Sequence, residues 1–186
     1  MPVVVPYDPE WPRRFEAERA ALEAVLRPWL EGGIHHVGST AVPGLASKPV
    51  IDMVAGVRDL EEARAVFRPL AELGYRHREH RPEAHAFSKP AGAEWWQATH
   101  GLHLTEPGSD LWRERLAFRD ALRADPELAA EYEEWKLRHA RPAGAPGPYG
   151  ADKRPFVARV LAEMGVTLKP DGERLTPAAL AARRGR

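Results

Sequence analysis

The residues best suited to chemistry stand in a short turn near the start of the chain. Two residues after His36, the sequence reads Gly38-Ser39-Thr40. A strand that enters such a turn presents backbone N–H groups and two hydroxyls at one place, and these groups can bind an anion. The same residue types are common in turns that bind nothing. The turn is therefore a candidate phosphate-binding site with an ordinary structural alternative.

A single acidic residue interrupts the most apolar segment that follows. The segment Lys48–Val57 is nearly continuously apolar apart from Asp52, which predicts a buried strand. A carboxylate inside such a strand is costly unless it is paired, hydrogen-bonded or bound to a cation. Asp52 could pair with Lys48 or an arginine. Alternatively, it could be a metal ligand at a strand edge that faces the Gly-Ser turn.

A later segment, Thr99–Glu106, carries two histidines. Side chains alternate along a strand, so His100 and His103 point to opposite faces of the sheet. Because leucines stand on both sides of His103, with the spacing of core-facing neighbours, we predict that His103 faces the same cleft as Asp52. A buried, hydrogen-bonded histidine is the alternative to a metal ligand.

Two cationic residues further along could also take part in a site. Arg119 lies in a predicted helix, and Lys153 precedes the last predicted helix. Either side chain could bind a phosphate or a carboxylate. For each of them, a solvated helix face or an ion pair is the structural alternative.

The composition restricts the classes of protein to be considered. The chain has 186 residues and no cysteine, which excludes disulfides, thiol catalysis and zinc or iron–sulfur sites with cysteine ligands. Lys+Arg and Asp+Glu are equal at 27 each, so no bulk positive charge indicates a nucleic-acid partner. There is no long apolar run for a membrane span and no signal-peptide pattern at the N-terminus. We therefore expect a cytoplasmic protein that binds neither nucleic acid nor membrane.

Helices are predicted before and after a strand-rich middle. Apolar residues at helical spacing predict a first helix over Trp11–Leu30 that ends at Gly32-Gly33. The remaining predictions are strands at Ile34–Val37, Lys48–Val57, Tyr75–His77, Ala84–Lys89 and Trp95–Thr105, and helices at Leu60–Leu73, after Ser109, after Pro126 and at Pro155–Met164. This order predicts an α/β (α+β) domain with a mixed sheet over residues 1–168 and a loosely attached tail over 169–186.

The chain resembles the GrpB family, a group that is itself similar to the nucleotidyltransferase superfamily with the polymerase β-like fold. The segments that carry the resemblance are His36–Leu45, Lys48–Asp52, Gly74-Tyr75, Leu102–Leu104, Trp112, Leu116–Arg123, Tyr132, Lys136, Tyr149, Lys153 and Phe156. They extend over most of the chain. The resemblance implies a nucleotidyltransferase-like core with flanking helices and a helical C-terminal part.

The resemblance also implies roles for individual residues. Gly38 and Ser39 match the turn that holds nucleotide phosphates in the superfamily, with Thr40, Lys48 and Arg119 as further phosphate-binding candidates. Asp52 matches the first of the metal-binding acids. The second acid falls on Val54, which cannot bind a metal, and His103 stands near the position of the third. Asp52, His103 and His36 are then the candidate metal ligands, and Asp52 and Lys153 the catalytic candidates.

Three functions remain open at this stage. The first is transfer of a nucleoside monophosphate from a nucleoside triphosphate to a small-molecule hydroxyl or amine. The second is binding of a nucleotide or phosphorylated small molecule without turnover, which the loss of an acid at Val54 favours. The third is a hydrolase or lyase with one ion held by His36, Asp52 and His103. A divalent cation is expected in the first and third: Mg²⁺ or Mn²⁺, with Zn²⁺ possible for a histidine-containing set.

Overall fold

Five strands form one mixed sheet in the computed structural model, which describes residues 4–81, 83–94, 97–140, 153–170 and 172–184. The strands are β1 Leu30–Val37, β2 Ile51–Val57, β3 Arg76–Arg81, β4 Ala84–Lys89 and β5 His100–Thr105. Their order across the sheet is β1-β2-β5-β4-β3. The central strands β2 and β5 are parallel, and the other neighbouring pairs are antiparallel.

One face of the sheet is covered by α1 (Trp11–Leu26) and the short α2 (Phe67–Glu72). The side chains of Trp11, Phe15, Leu22 and Leu26 are buried, and their spacing places them on one face of α1. They join a hydrophobic cluster that includes alternate residues of the central strands. This alternation leaves the other residues of β2 and β5, among them Asp52, on the opposite face of the sheet.

The opposite face is covered by α3 (Asp110–Ala124), against which α4 (Pro126–Arg138) and α5 (Arg154–Glu163) pack. Both α3 and α4 begin at side-chain caps, of which the sequence predicts the one at Ser109. The Oγ of Ser109 accepts a hydrogen bond from the backbone N–H of Trp112 at 3.1 Å, and Asp125 caps α4 in the same way. The packing of α3, α4 and α5 forms a second hydrophobic cluster beside the Asp52 face.

The structure confirms the predicted mixed-sheet α+β class and changes several boundaries. The first helix ends at Leu26, before the predicted Leu30, and Gly32-Gly33 do not end it. Both glycines lie within β1, with φ of 76° and 84°, where the pairing with β2 shifts register. A bulge of this kind requires backbone angles that glycine adopts without strain. Trp95-Trp96, predicted as strand, lie outside the described residues.

Part of the C-terminal segment, which is predicted as a loosely attached tail, makes contacts with the rest of the domain. Within residues 169–178, Arg174 and Thr176 are buried, and the segment leads into a further helix, α6 (Pro177–Arg184). Polar contacts to α3 hold it in place. Among the described residues, no helix combines the length and the apolar character that crossing a bilayer requires.

Candidate functional site

Asp52 is the second residue of β2, and a glycine lies close to its side chain on each side of β2. Gly38 follows β1, and Gly101 pairs with Asp52 on β5. A Cβ on Gly38 would lie 2.9 Å from Oδ2 of Asp52, and a Cβ on Gly101 would lie 2.7 Å from Oδ1. Both distances are shorter than the normal distance between a carbon and an oxygen that are not bonded to each other. The two glycines therefore leave the space that the Asp52 carboxylate occupies.

The carboxylate opens into a cavity of about 150 Å³, here called the Asp52 cavity. Its wall includes Gly38, Ser39, Asp52, Glu114, Arg115, Phe118, Tyr132, Lys153, Arg154, Val157, Leu168 and Arg174. Four of these described residues are cationic and two are acidic, so the cavity has an excess of positive charge although the whole chain has none. Two larger surface depressions, of about 730 and 310 Å³, do not include Asp52.

The electrostatics of Asp52 combine two opposing effects. Burial raises the pKa of its carboxyl, while the nearby charges of Arg115, Lys153 and Lys48 lower it. Burial likewise lowers the pKa of Lys48, against the attraction of Asp52. Burial is the larger effect for both groups. Asp52 is thus a carboxylate kept in an environment that opposes its ionisation, and a bound cation would relieve that cost.

The Gly-Ser turn is held from the side of α4. The hydroxyl of Ser39 is hydrogen-bonded to Tyr132, and burial raises the pKa of Tyr132 to about 12. One turn further along α4, the Nζ of Lys136 donates to the carbonyl of Ala46 and to the Oγ of Ser47. These contacts connect α4 to the segment that joins the turn to β2, so both parts of the site rest on the same helix.

The structure brings together several of the residues that the sequence singles out. Gly38, Ser39, Asp52 and Lys153 all line the Asp52 cavity. His103 pairs with Val54, and therefore lies on the same face of the sheet as Asp52, two residues further along. Lys48 is near enough to affect the pKa of Asp52, although it does not line the cavity.

Two of the predicted residues lie on the other side of the sheet. His36 pairs with Met53, whose side chain is in the cluster under α1, and its ring stacks on Phe15 at 4.8 Å. The Oγ1 of Thr40 lies 3.0 Å from Nε2 of His36 and donates to the carbonyl of Val50 at 2.8 Å. The structure therefore does not bring His36 to Asp52, because neighbouring residues of β1 face opposite ways. Thr40 lies in the turn after β1, and its hydrogen bond to Val50 directs it into the protein interior.

Arg119 is directed away from the Asp52 cavity. Its Nη1 donates to the carbonyl of His36 at 3.1 Å, and its Nε lies 2.7 Å from the carboxylate of Asp120. The arginine of α3 that lines the cavity is Arg115, one turn earlier. Arg115 and Arg119 are four residues apart, a spacing that places both on the same face of a helix. The sequence alone does not tell which of the two lines the cavity.

The described part of the chain contains no group of three histidine, aspartate or glutamate side chains that could hold a metal ion by themselves. Val54, the next residue of β2 on the Asp52 face, cannot bind a metal. Glu114, the other acid of the cavity, is engaged by Arg174 at 2.6 Å. The single-ion set of His36, Asp52 and His103 is thus not formed, since His36 lies across the sheet.

Comparisons of sequence and of structure both find GrpB proteins similar to this chain over most of its length. The sequence model of the family described as "GrpB protein" matches residues 1–163. The Glutamate-rich protein GrpB of Alkalihalophilus pseudofirmus is 33% identical over 166 residues, covering 87% of this chain and 95% of that protein. The crystal structure of conserved protein GrpB from Enterococcus faecalis superposes with a TM-score of 0.75 at 27% identity, over 87% of this chain and 96% of that one.

A more distant likeness is to the Cid1 poly(U) polymerase. Its TM-score is 0.49 at 13% identity, over 73% of this chain and 44% of that chain. A likeness of this size carries no conclusion about what this protein binds or does.

Proposed function

The chain belongs to the GrpB family, and on that premise we propose that it binds a nucleoside triphosphate or another phosphorylated metabolite through its phosphate groups. The Asp52 cavity is the proposed site. The observation that carries the proposal is that one carboxylate, several cations and a Gly-Ser turn line the same cavity. Arg115 and Lys153 supply the positive charge that phosphate oxygens require.

The residues present fit one divalent cation that arrives with the ligand. Mg²⁺ is commonly held by one or two carboxylates together with phosphate oxygens of the substrate and water. Asp52 would supply the carboxylate, and such a cation would offset the negative charge of the phosphates. The described residues do not fit a two-cation site built from the protein alone, because Val54 replaces the second acid and Glu114 is paired with Arg174.

Transfer of a nucleoside monophosphate is the second candidate. It is the reaction that the resemblance to nucleotidyltransferases implies, and it is favoured by two of the cations that act on Asp52. Arg115 and Lys153 would stabilise negative charge that develops on the transferred group. The missing acid at Val54 counts against transfer and not against binding, so binding is the function that the geometry supports best.

Thermal unfolding tests the binding proposal directly. The full chain would be mixed with ATP, GTP, CTP or UTP, each with Mg²⁺, Mn²⁺ or Zn²⁺ and with no metal. A ligand at 100 times its Kd stabilises the native state by about 2.7 kcal/mol. For a chain of this size, that free energy raises Tm by about 5–10 °C.

Matched variants make the result specific to the cavity. We expect Asp52→Asn to remove the metal-dependent part of the shift, and Arg115→Gln to reduce the shift with every metal. Arg159→Gln is the control, because Arg159 forms exposed ion pairs on α5 with Glu131 and Glu163. Equal shifts in all three variants would place binding elsewhere on the molecule.

The transfer candidate has its own measurement. Release of pyrophosphate from the stabilising nucleotide, in the presence of small hydroxyl or amine acceptors, would support it. Stabilisation by a nucleotide with no pyrophosphate release from any acceptor would leave binding as the function.

A further inference from the structure

One wall of the Asp52 cavity is formed by the chain beyond the region that matches the family. The family match ends at residue 163, and the segment 168–178, here called the strap, then lies along α3. Leu168 and Arg174 of the strap both line the cavity. The strap is described except for residue 171.

Arg174 holds the strap through two buried acids. Its Nε lies 2.6 Å from Oε2 of Glu114, and its Nη1 lies 3.7 Å from Oε1 of Glu83. The side chains of Arg174, Glu114 and Glu83 are 4%, 5% and 1% exposed. Charges at such depth depend on one another, because removing one partner leaves the others buried and uncompensated. Arg174 is therefore the main point of attachment.

Further attachments include polar contacts at the edge of α3. The backbone N–H of Lys169 donates to Glu114 at 3.0 Å, and its Nζ lies 2.7 Å from Asp110. The backbone N–H of Leu175 also donates to Asp110, at 2.9 Å. Among the described residues, neither hydrophobic cluster contains a strap residue. Segments held by polar contacts, with little apolar burial, open with less free energy than the core they cover.

With the strap in place, the Asp52 cavity is small for a nucleotide. Sites for drug-sized ligands commonly have volumes of about 300–1,000 Å³. The 150 Å³ of this cavity admits a single phosphate group but not a nucleoside triphosphate. The described residues of the strap belong to neither the sheet nor the hydrophobic clusters.

We infer that the strap is a lid, latched by Arg174 between Glu114 and Glu83, which must open before a nucleotide enters the Asp52 cavity. The nucleotide as ligand rests on the proposed function, whereas the opening of the strap does not. In the closed state the lid restricts the cavity to phosphate-sized anions. The strap, which follows the residues that match the family model, thereby limits the size of the ligand that enters the cavity.

Hydrogen exchange of the full chain without ligand tests the opening. We expect the amides of Lys169 and Leu175 to exchange faster than those of Leu102 and Leu104 in β5, by about tenfold or more. Arg174→Lys keeps a charge but cannot bridge two acids as a guanidinium does, so it should accelerate only the strap amides. Acceleration of strap and β5 amides by the same factor would mean that the strap opens only on global unfolding, and would overturn the inference.

Two further variants keep the test decisive. Arg159→Lys is the matched control, since it makes the same replacement in an exposed ion pair away from the strap. Lys169→Ala removes only the side-chain contact to Asp110, and it tests the strap if Arg174→Lys fails to fold. We expect the control to leave strap exchange unchanged and Lys169→Ala to accelerate it.

The rate of ligand association separates the lid from the proposed function. With ATP and Mg²⁺ in stopped flow, Lys169→Ala should raise the association rate severalfold above the wild type, and orthophosphate should show no difference. Equal ATP rates in both proteins would refute the lid and leave nucleotide binding intact. If no protein binds ATP, the proposed nucleotide ligand is wrong, and the lid is then judged on exchange alone.

Discussion

Replacing Gly38 by alanine should damage both the stability of the protein and its candidate site. Gly38 has φ 71° and ψ −174°, a backbone conformation that is essentially restricted to glycine. The new methyl carbon would also lie 2.9 Å from Oδ2 and 3.1 Å from Cβ of Asp52. Either the turn or the carboxylate must move, and the proposed phosphate-binding geometry changes with it.

The size of the effect follows from these two features. A non-glycine residue in this backbone region costs about 1–3 kcal/mol, before any contribution from the contact with Asp52. For a chain of this length, such a loss lowers Tm by about 2–12 °C. Gly44→Ala is the control, because Gly44 also has positive φ, at 80°, but a Cβ there meets nothing within 4 Å.

Urea unfolding of Gly38→Ala, of Asp52→Ala and of the double variant separates the cost of backbone strain at position 38 from the cost of the contact with Asp52. We expect Gly38→Ala to lose more free energy of unfolding than Gly44→Ala, and to lose less when Asp52 is already alanine. The coupling between positions 38 and 52 should be about 0.5–3 kcal/mol, as for other residues in contact. Equal losses in Gly38→Ala and Gly44→Ala, with no coupling to Asp52, would refute the conclusion that Gly38 makes room for the carboxylate.

Three other changes have directions that the structure determines. Burial raises the pKa of Asp52 above its unfolded value, so its ionisation destabilises the native state as pH rises above about 4. The stability of Asp52→Asn relative to the wild type should therefore increase as pH rises above about 4 in urea unfolding, and parallel pH profiles would contradict this. Arg115→Gln should weaken binding of ATP with Mg²⁺ by about tenfold or more in calorimetry, whereas Arg119→Gln should leave affinity unchanged and lower Tm. Burial and the charges of Arg123 and Arg119 lower the pKa of His36 to about 4. The free energy of unfolding should therefore fall by about 3 kcal/mol as pH drops from about 6.5 to 4. In urea unfolding, His36→Gln should flatten that part of the pH profile.

Local signals in the sequence were sufficient for most of the secondary structure. The apolar spacing from Trp11 to Leu26 and the cap at Ser109 depend on residues within a few positions of each other, so they could be read directly. The prediction that Gly32-Gly33 end the first helix is wrong, because the role of these glycines depends on a partner strand. A pair of glycines permits a bulge or a helix stop equally well, and only the register with β2 distinguishes the two.

The contacts of the C-terminal segment depend on distant residues in a related way. Its residues carry no strong helical or strand pattern before Pro177, which favours a loose tail when the sequence is considered alone. Its attachment depends on Arg174 reaching Glu114 and Glu83, 60 and 91 positions away along the chain. Ion pairs of such separation leave no local pattern.

The sequence by itself determined the mixed α+β class, the absence of cysteine chemistry, the Gly-Ser turn and the unusual acid in a buried strand. Tertiary structure alone decided that His36 and Thr40 turn away from Asp52, that Arg115 rather than Arg119 reaches the cavity, and that a strap closes it. The physical reason is the range of the forces involved. Backbone propensity and apolar period act over a few residues, whereas the face on which a side chain emerges depends on strand register and helix packing between distant parts of the chain.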